Sequence, residues 1–181
     1  MWRAGYGAIA VAMVAALMSF PAGASADVPT SPVAFEKGTP LKLTSASSDY
    51  WVYVPESYDA SGNTPTKLFV WMHGCGGDSS GDIWTVSPGG AQDWISVSVG
   101  GRDGGCWSMG SDGPKVLNAV SDVETHFNID SRRVILGGYS SGGDLAYRTA
   151  FLSADTFAGV LAMNTPSPRN TGLTWEAVLA A

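Results

Sequence analysis

Val134-Ile135-Leu136-Gly137-Gly138-Tyr139-Ser140-Ser141-Gly142-Gly143-Asp144-Leu145-Ala146-Tyr147-Arg148-Thr149-Ala150-Phe151-Leu152 is the stretch on which the fold turns. Val134 to Gly138 is an apolar run of strand length, and Asp144 to Leu152 carries apolar residues at helical spacing. Between them Gly138-Tyr139-Ser140-Ser141-Gly142 fits G-x-S-x-G at a strand-turn-helix junction. A serine at such a turn is held in a strained backbone conformation, and bulky residues two positions to either side would collide with neighbouring chain. Gly138 and Gly142 remove that collision. The helix that follows points backbone N–H groups at the place where negative charge would develop during attack by Ser140, and Ser141 supplies one of them.

Working outward, four further apolar runs read as strands: Tyr50 to Val54, Lys67 to Met72, Trp94 to Val99 and Ala158 to Met163. Several are apolar at nearly every position, which fits strands buried on both faces of a parallel sheet. Gly113 to Phe127, with Val116, Leu117, Val120 and Val123 at helical spacing, supplies a helix between the third and fourth runs. Alternation of strand and helix predicts an α/β fold with a mostly parallel sheet and helices on both faces. Chemistry in such a sheet belongs just past the carboxyl ends of the strands.

The serine pattern alone is weak. Gly77-Asp78-Ser79-Ser80-Gly81 also matches it. That copy follows a glycine-rich loop and leads into no clear helix, so Ser79 reads as a decoy. A second constellation ends the Lys67 to Met72 run: Trp71-Met72-His73-Gly74-Cys75-Gly76-Gly77. It is similar to the HG-rich loop that gives esterases and lipases their other oxyanion donor, here the amide of Cys75 or Gly76. His73 in that setting braces the loop and is not the base, which follows the nucleophile in chain order. His126, at the end of the Gly113 to Phe127 helix, reads as a surface or helix-terminal residue.

The 181 residues allow one domain, and a 45% hydrophobic, 14% charged composition can fill its core. A net charge of −6 leaves no basic stripe for phosphates, so nucleic acid is not an expected partner. Arg3, the uncharged run from Ala8 to Phe20 and Ala24-Ser25-Ala26 make residues 1–26 a Sec-type signal peptide cleaved after Ala26. An uncleaved anchor would need about twenty apolar residues. The chain is then exported, with no membrane association after cleavage. Residues 27–44, rich in Pro, Ser and Thr, read as a surface leader, and 45–181 as the domain. The two cysteines, Cys75 and Cys106, are first read as a disulfide in an exported chain, with two separate buried thiols as the alternative. Two thiols without CxxC spacing and two histidines do not make a metal site.

Strand, HGCGG, a GGCW segment and then RRVILGGYSSGGDLAYRTAF, in that order over about Tyr50 to Asn164, resemble the polyhydroxybutyrate depolymerase and feruloyl esterase group of secreted α/β-hydrolases. The resemblance implies a nucleophile at Ser140, oxyanion donors at Ser141 and Cys75, a Cys75–Cys106 disulfide, and no cofactor. It also implies an ester substrate: a polyester, or feruloyl or acetyl esters of polysaccharide. The chain departs from the group after Ser140, where the acidic residues are Asp144, Asp155 and Glu176 and no histidine follows. The expectation is an α/β-hydrolase domain lacking its C-terminal strands, by truncation or a shifted tail from about Pro166, with weak activity at best. An evolved pseudoenzyme is the alternative. Trp84 and Trp107, on loops flanking Ser140, are candidate substrate contacts or core cover, whereas Trp51, Trp71 and Trp94 sit in strands and read as core. A peptidase of the same fold and a non-catalytic polymer-binding domain remain as alternatives.

Overall fold

A computed structural model of the chain describes residues 29–87, 93–166, 173, 174 and 176. The residues of the expected signal peptide, 1–26, lie outside that set, as does most of the chain beyond Pro166. The element order is β1 (Leu41–Thr44), β2 (Asp49–Tyr53), β3 (Thr66–Met72), α1 (Ser79–Val86), β4 (Trp94–Val99), α2 (Gly113–His126), β5 (Ile129–Tyr139), α3 (Ser141–Leu152) and β6 (Gly159–Met163). The strands form one sheet in the order β1-β2-β4-β3-β5-β6. β4, β3, β5 and β6 run parallel, and β1 and β2 join antiparallel at one edge.

Strand alternation sorts the sheet into two faces. Leu68, Val70 and Met72 of β3, Ile95, Val97 and Val99 of β4, and Val134 and Leu136 of β5 share one core with Val116, Val120 and Val123 of α2 and Leu145 and Ala146 of α3. Phe69 and Trp71, the intervening residues of β3, turn to the other face and pack with Ile83 and Val86 of α1. Helices therefore lie on both faces.

Two elements were not foreseen. α1 has the unpromising sequence SSGDIWTV, and what starts it is a cap: Asp78 Oδ1 accepts the Gly81 N–H at 2.8 Å. Contrary to expectation, the decoy serine does open a helix. Residues 41–44, placed in the surface leader, instead form the edge strand β1. Phe35, in the same leader, packs edge-on against Tyr58 and Phe127, and Ser31 donates to the Thr125 carbonyl. The leader was misjudged because its few apolar residues pack on elements distant in sequence.

Burial on both faces holds for the middle of the sheet only. On the α1 face, Ile135, Tyr139, Leu161 and Met163 of β5 and β6 are exposed among the described residues. No helix among the described residues is long and apolar enough to cross a membrane.

Candidate active site

β5 ends at Tyr139 and α3 begins at Ser141, so Ser140 is the whole of the turn between them. Its backbone sits at φ 51°, ψ −117°, in the left-handed region that costs a side-chain-bearing residue about 1–3 kcal/mol. The neighbours explain how this is tolerated. A Cβ on Gly138 would lie 2.3 Å from the carbonyl carbon and oxygen of Gly142, and one on Gly142 would lie 2.3 Å from the Met72 carbonyl oxygen. A side chain at Gly138 would push the first turn of α3 away from β5, and one at Gly142 would push the turn off the end of β3. The Ser140 N–H donates to the Met163 carbonyl at 2.9 Å, tying the turn to the end of β6, and the Asp144 N–H donates to the Ser140 carbonyl at 2.9 Å. Ser141 is the first residue of α3, where amides have no partner within the helix.

The loop after β3 lies against this turn, because Gly142 packs on the carbonyls of Met72 and His73. His73 is fully buried. Its Nδ1 lies 2.7 Å from the Gly74 carbonyl oxygen, which can only accept, so Nδ1 carries the proton. Nε2 faces Asp103 Oδ1 at 3.7 Å, and neither ring nitrogen bonds Ser140. Cys75 and Cys106 are joined in a disulfide, and backbone bonds from Gly76 N to Gly105 O and from Gly104 N to Gly77 O stitch the two glycine-rich loops together. That stitching corrects one expectation. The Gly76 amide is committed to the Gly105 carbonyl at 3.1 Å, so of the two expected donors Cys75 is the one without that commitment.

Two aromatic assignments also change. Trp107 is 5% exposed, packs its ring at a tilt against His73 and donates from Nε1 to the His73 carbonyl at 2.9 Å, so it is core and not a substrate contact. Trp84, on α1, is 59% exposed. Of the three strand tryptophans, Trp71 is buried but Trp51 and Trp94 are half-buried. Trp71 and Trp94 line a cavity of about 640 Å³ with Gly74, Cys75, Tyr139 and Met163. Ser79 is 2% exposed, and its Oγ donates to Asp103 Oδ2 at 3.2 Å. It lacks the strained turn, since Ser140 and Asn164 are the non-glycine residues with positive φ among the described residues. His126 lies at the end of α2, its ring between the Ser31 carbonyl and Asp122.

No protein-family model matches the chain. Among curated proteins it is similar to a poly(3-hydroxybutyrate) depolymerase of Ralstonia pickettii, with 25% identity over 194 aligned positions covering 94% of this chain and 40% of that one. Among solved structures it superposes on an acetyl xylan esterase from Aspergillus awamori with a TM-score of 0.56 at 22% identity, covering 69% of this chain and 53% of that one. The fold is that of an α/β-hydrolase. A second such structure, the feruloyl esterase module of Clostridium thermocellum in complex with sinapinate, gives a TM-score of 0.54 at 15% identity over 79% of this chain and 63% of the module. The chain thus spans about 40% of the length of the curated relative it matches. Within this fold, sequence reading overlooked Asp103, Asn164 and Thr165. Asp103 stands among glycines and Asn164 and Thr165 close a strand, and none of them belongs to a motif whose spacing would have singled it out.

Proposed function

We propose that the chain is the nucleophile-bearing part of a secreted serine carboxylic ester hydrolase. The observation that carries this is Ser140, held at positive φ between β5 and α3 by two glycines whose side-chain space is filled by backbone. In the proposed reaction Ser140 Oγ bonds to the ester carbonyl carbon as its proton passes to a base. The oxyanion so formed faces the amides of Ser141 and Cys75. The alcohol then leaves with a proton, and water cleaves the acyl-enzyme to release the acid and restore Ser140. His73 holds the HGCGG loop under the oxyanion.

The substrate proposed is a polyester such as polyhydroxybutyrate, or a feruloyl or acetyl ester of a polysaccharide. The named activities of the similar depolymerase and esterases support that class. Trp84, exposed on α1, is the aromatic proposed to meet a polymer. Export through the 1–26 segment agrees with the disulfide.

Neither of the chain's two histidines bonds Ser140. Turnover by the chain itself is therefore expected to be slow and to rise with added imidazole as an external base. Hydrolysis of p-nitrophenyl acetate, compared with Ser140→Ala at each imidazole concentration, is the test. Rates that are identical for the two proteins would sink the esterase reading.

A further inference from the structure

Ser140 and Asn164 are the two non-glycine residues with positive φ among the described residues, at 51° and 55°. They are neighbours. β5 and β6 run parallel with Tyr139 opposite Met163, so Ser140 and Asn164 are the next residues of the two strands, and both strands leave the sheet through left-handed backbone at the same level. Asparagine is among the few residues that take this conformation readily, but it is not otherwise required at the end of a strand.

Three successive residues leaving β6 grip three residues of the serine turn. The Met163 carbonyl accepts the Ser140 N–H at 2.9 Å. Asn164 Nδ2 donates to the Tyr139 hydroxyl at 3.0 Å. The Thr165 hydroxyl donates to Asp144 Oδ1, on a carboxylate 8% exposed in the first turn of α3. The grip extends to the second loop as well. Tyr139 lies so close to Gly74 that a Cβ there would come within 2.8 Å of Tyr139 Cδ1, so the ring fixed by Asn164 also sets where Gly74 and Cys75 lie.

Resting on the reading of Ser140 as nucleophile, we infer that Asn164 is a positioning residue for it, acting through its left-handed backbone on the Met163–Ser140 bond and through its side chain on Tyr139 and the Cys75 loop. Asn164 touches neither the reacting atoms nor the ester. Strain at Ser140 persists only if its surroundings over-determine it, and the β6 exit supplies that determination from the side opposite Gly142.

The test uses the whole chain with a fluorophosphonate probe in imidazole buffer, reading the second-order rate of Ser140 labelling. Asn164→Ala, which loses both backbone preference and side chain, is expected to slow labelling about tenfold. Asn164→Gly, which keeps access to positive φ, should recover most of that and remain about threefold slow. Tyr139→Phe should match Asn164→Gly, and the double variant should be no slower than either, because both remove the same hydrogen bond. Native-state hydrogen exchange supplies a readout independent of reactivity. In Asn164→Ala the Ser140 amide should exchange about tenfold faster while the Leu136 amide, in the middle of β5, is unchanged.

Labelling of folded Asn164→Ala at the wild-type rate would overturn the proposal. So would Gly and Ala variants that slow it equally, or exchange that rises alike at Leu136 and Ser140, which is the signature of general loosening. If the wild-type chain is not labelled at Ser140 at all, the nucleophile reading fails, and the exchange result alone then decides whether Asn164 positions the turn.

Discussion

Ser140 keeps a conformation that most residues avoid because everything around it is either missing a side chain or tied down. Gly142 shows how little room there is: Ala at that position would drive a methyl into the carbonyls of Met72 and His73. Gly142→Ala should destabilise the fold by about 3 kcal/mol or more and lower the thermal midpoint accordingly, since neither backbone segment can move aside. A second residue under strong local constraint is Asp112, buried before α2. Burial works against its charge, but the Arg102 guanidinium at 2.7 Å, the Ser108 amide at 2.7 Å and Lys115 hold its carboxyl below the usual value. Asp112→Ala would leave the half-buried Ser108 N–H without its acceptor and the Arg102 guanidinium without its partner, and is expected to cost about 1–3 kcal/mol, measured by urea unfolding.

At the scale of elements, the two glycine-rich loops after β3 and β4 have no regular structure of their own. Their shape comes from the Cys75–Cys106 bond, the exchanged backbone bonds among Gly76, Gly77, Gly104 and Gly105, and the packing of Trp107 on His73. The disulfide joins residues 31 apart, so on the chain-entropy account it stabilises by about 3 to 4 kcal/mol. The Cys75→Ser, Cys106→Ser double variant should lose that much in denaturant unfolding. It should also lose most Ser140-dependent ester turnover below the unfolding transition, since the Cys75 amide would no longer be held in place. An unchanged turnover would mean that the loop is shaped by Trp107 and His73 alone.

For the whole molecule, charge sets an acid limit. The carboxyls of Asp112 and Asp130 are both held below the usual aspartate value, Asp130 through its hydrogen bond with Arg132 and then that with Arg133, against opposing burial. A carboxyl whose folded value is depressed adds stability that is present above the unfolded value and is lost as pH falls through the folded one. The thermal midpoint should therefore be flat from about pH 7 to 5 and fall steeply below about pH 4. In Asp130→Asn the acid loss should be shallower, because one of the contributing groups is gone. The exposed apolar flank of β5 and β6 belongs to this scale too, and Ile135, Tyr139, Leu161 and Met163 there stay open among the described residues.

Local pattern was enough to find five of the six strands, the helices α2 and α3, the parallel sheet and the serine turn. Those features rest on apolar runs and on glycines at fixed offsets, which are properties of consecutive residues. β1 and α1 escaped because one depends on pairing with β2 and the other on a single Asp78 cap over a weakly apolar segment. The exclusion of Ser79 rested on an incomplete reason. It does precede a helix, and it differs from Ser140 in burial and backbone conformation, neither of which a five-residue pattern carries. In the same way only the folded chain decides that Trp107 is core, that the Gly76 amide is occupied, and that Asn164 stands beside Ser140. Each of these is a contact between residues 24 or more positions apart, set by the register of the sheet and the closure of its loops, and no short window of sequence contains both partners.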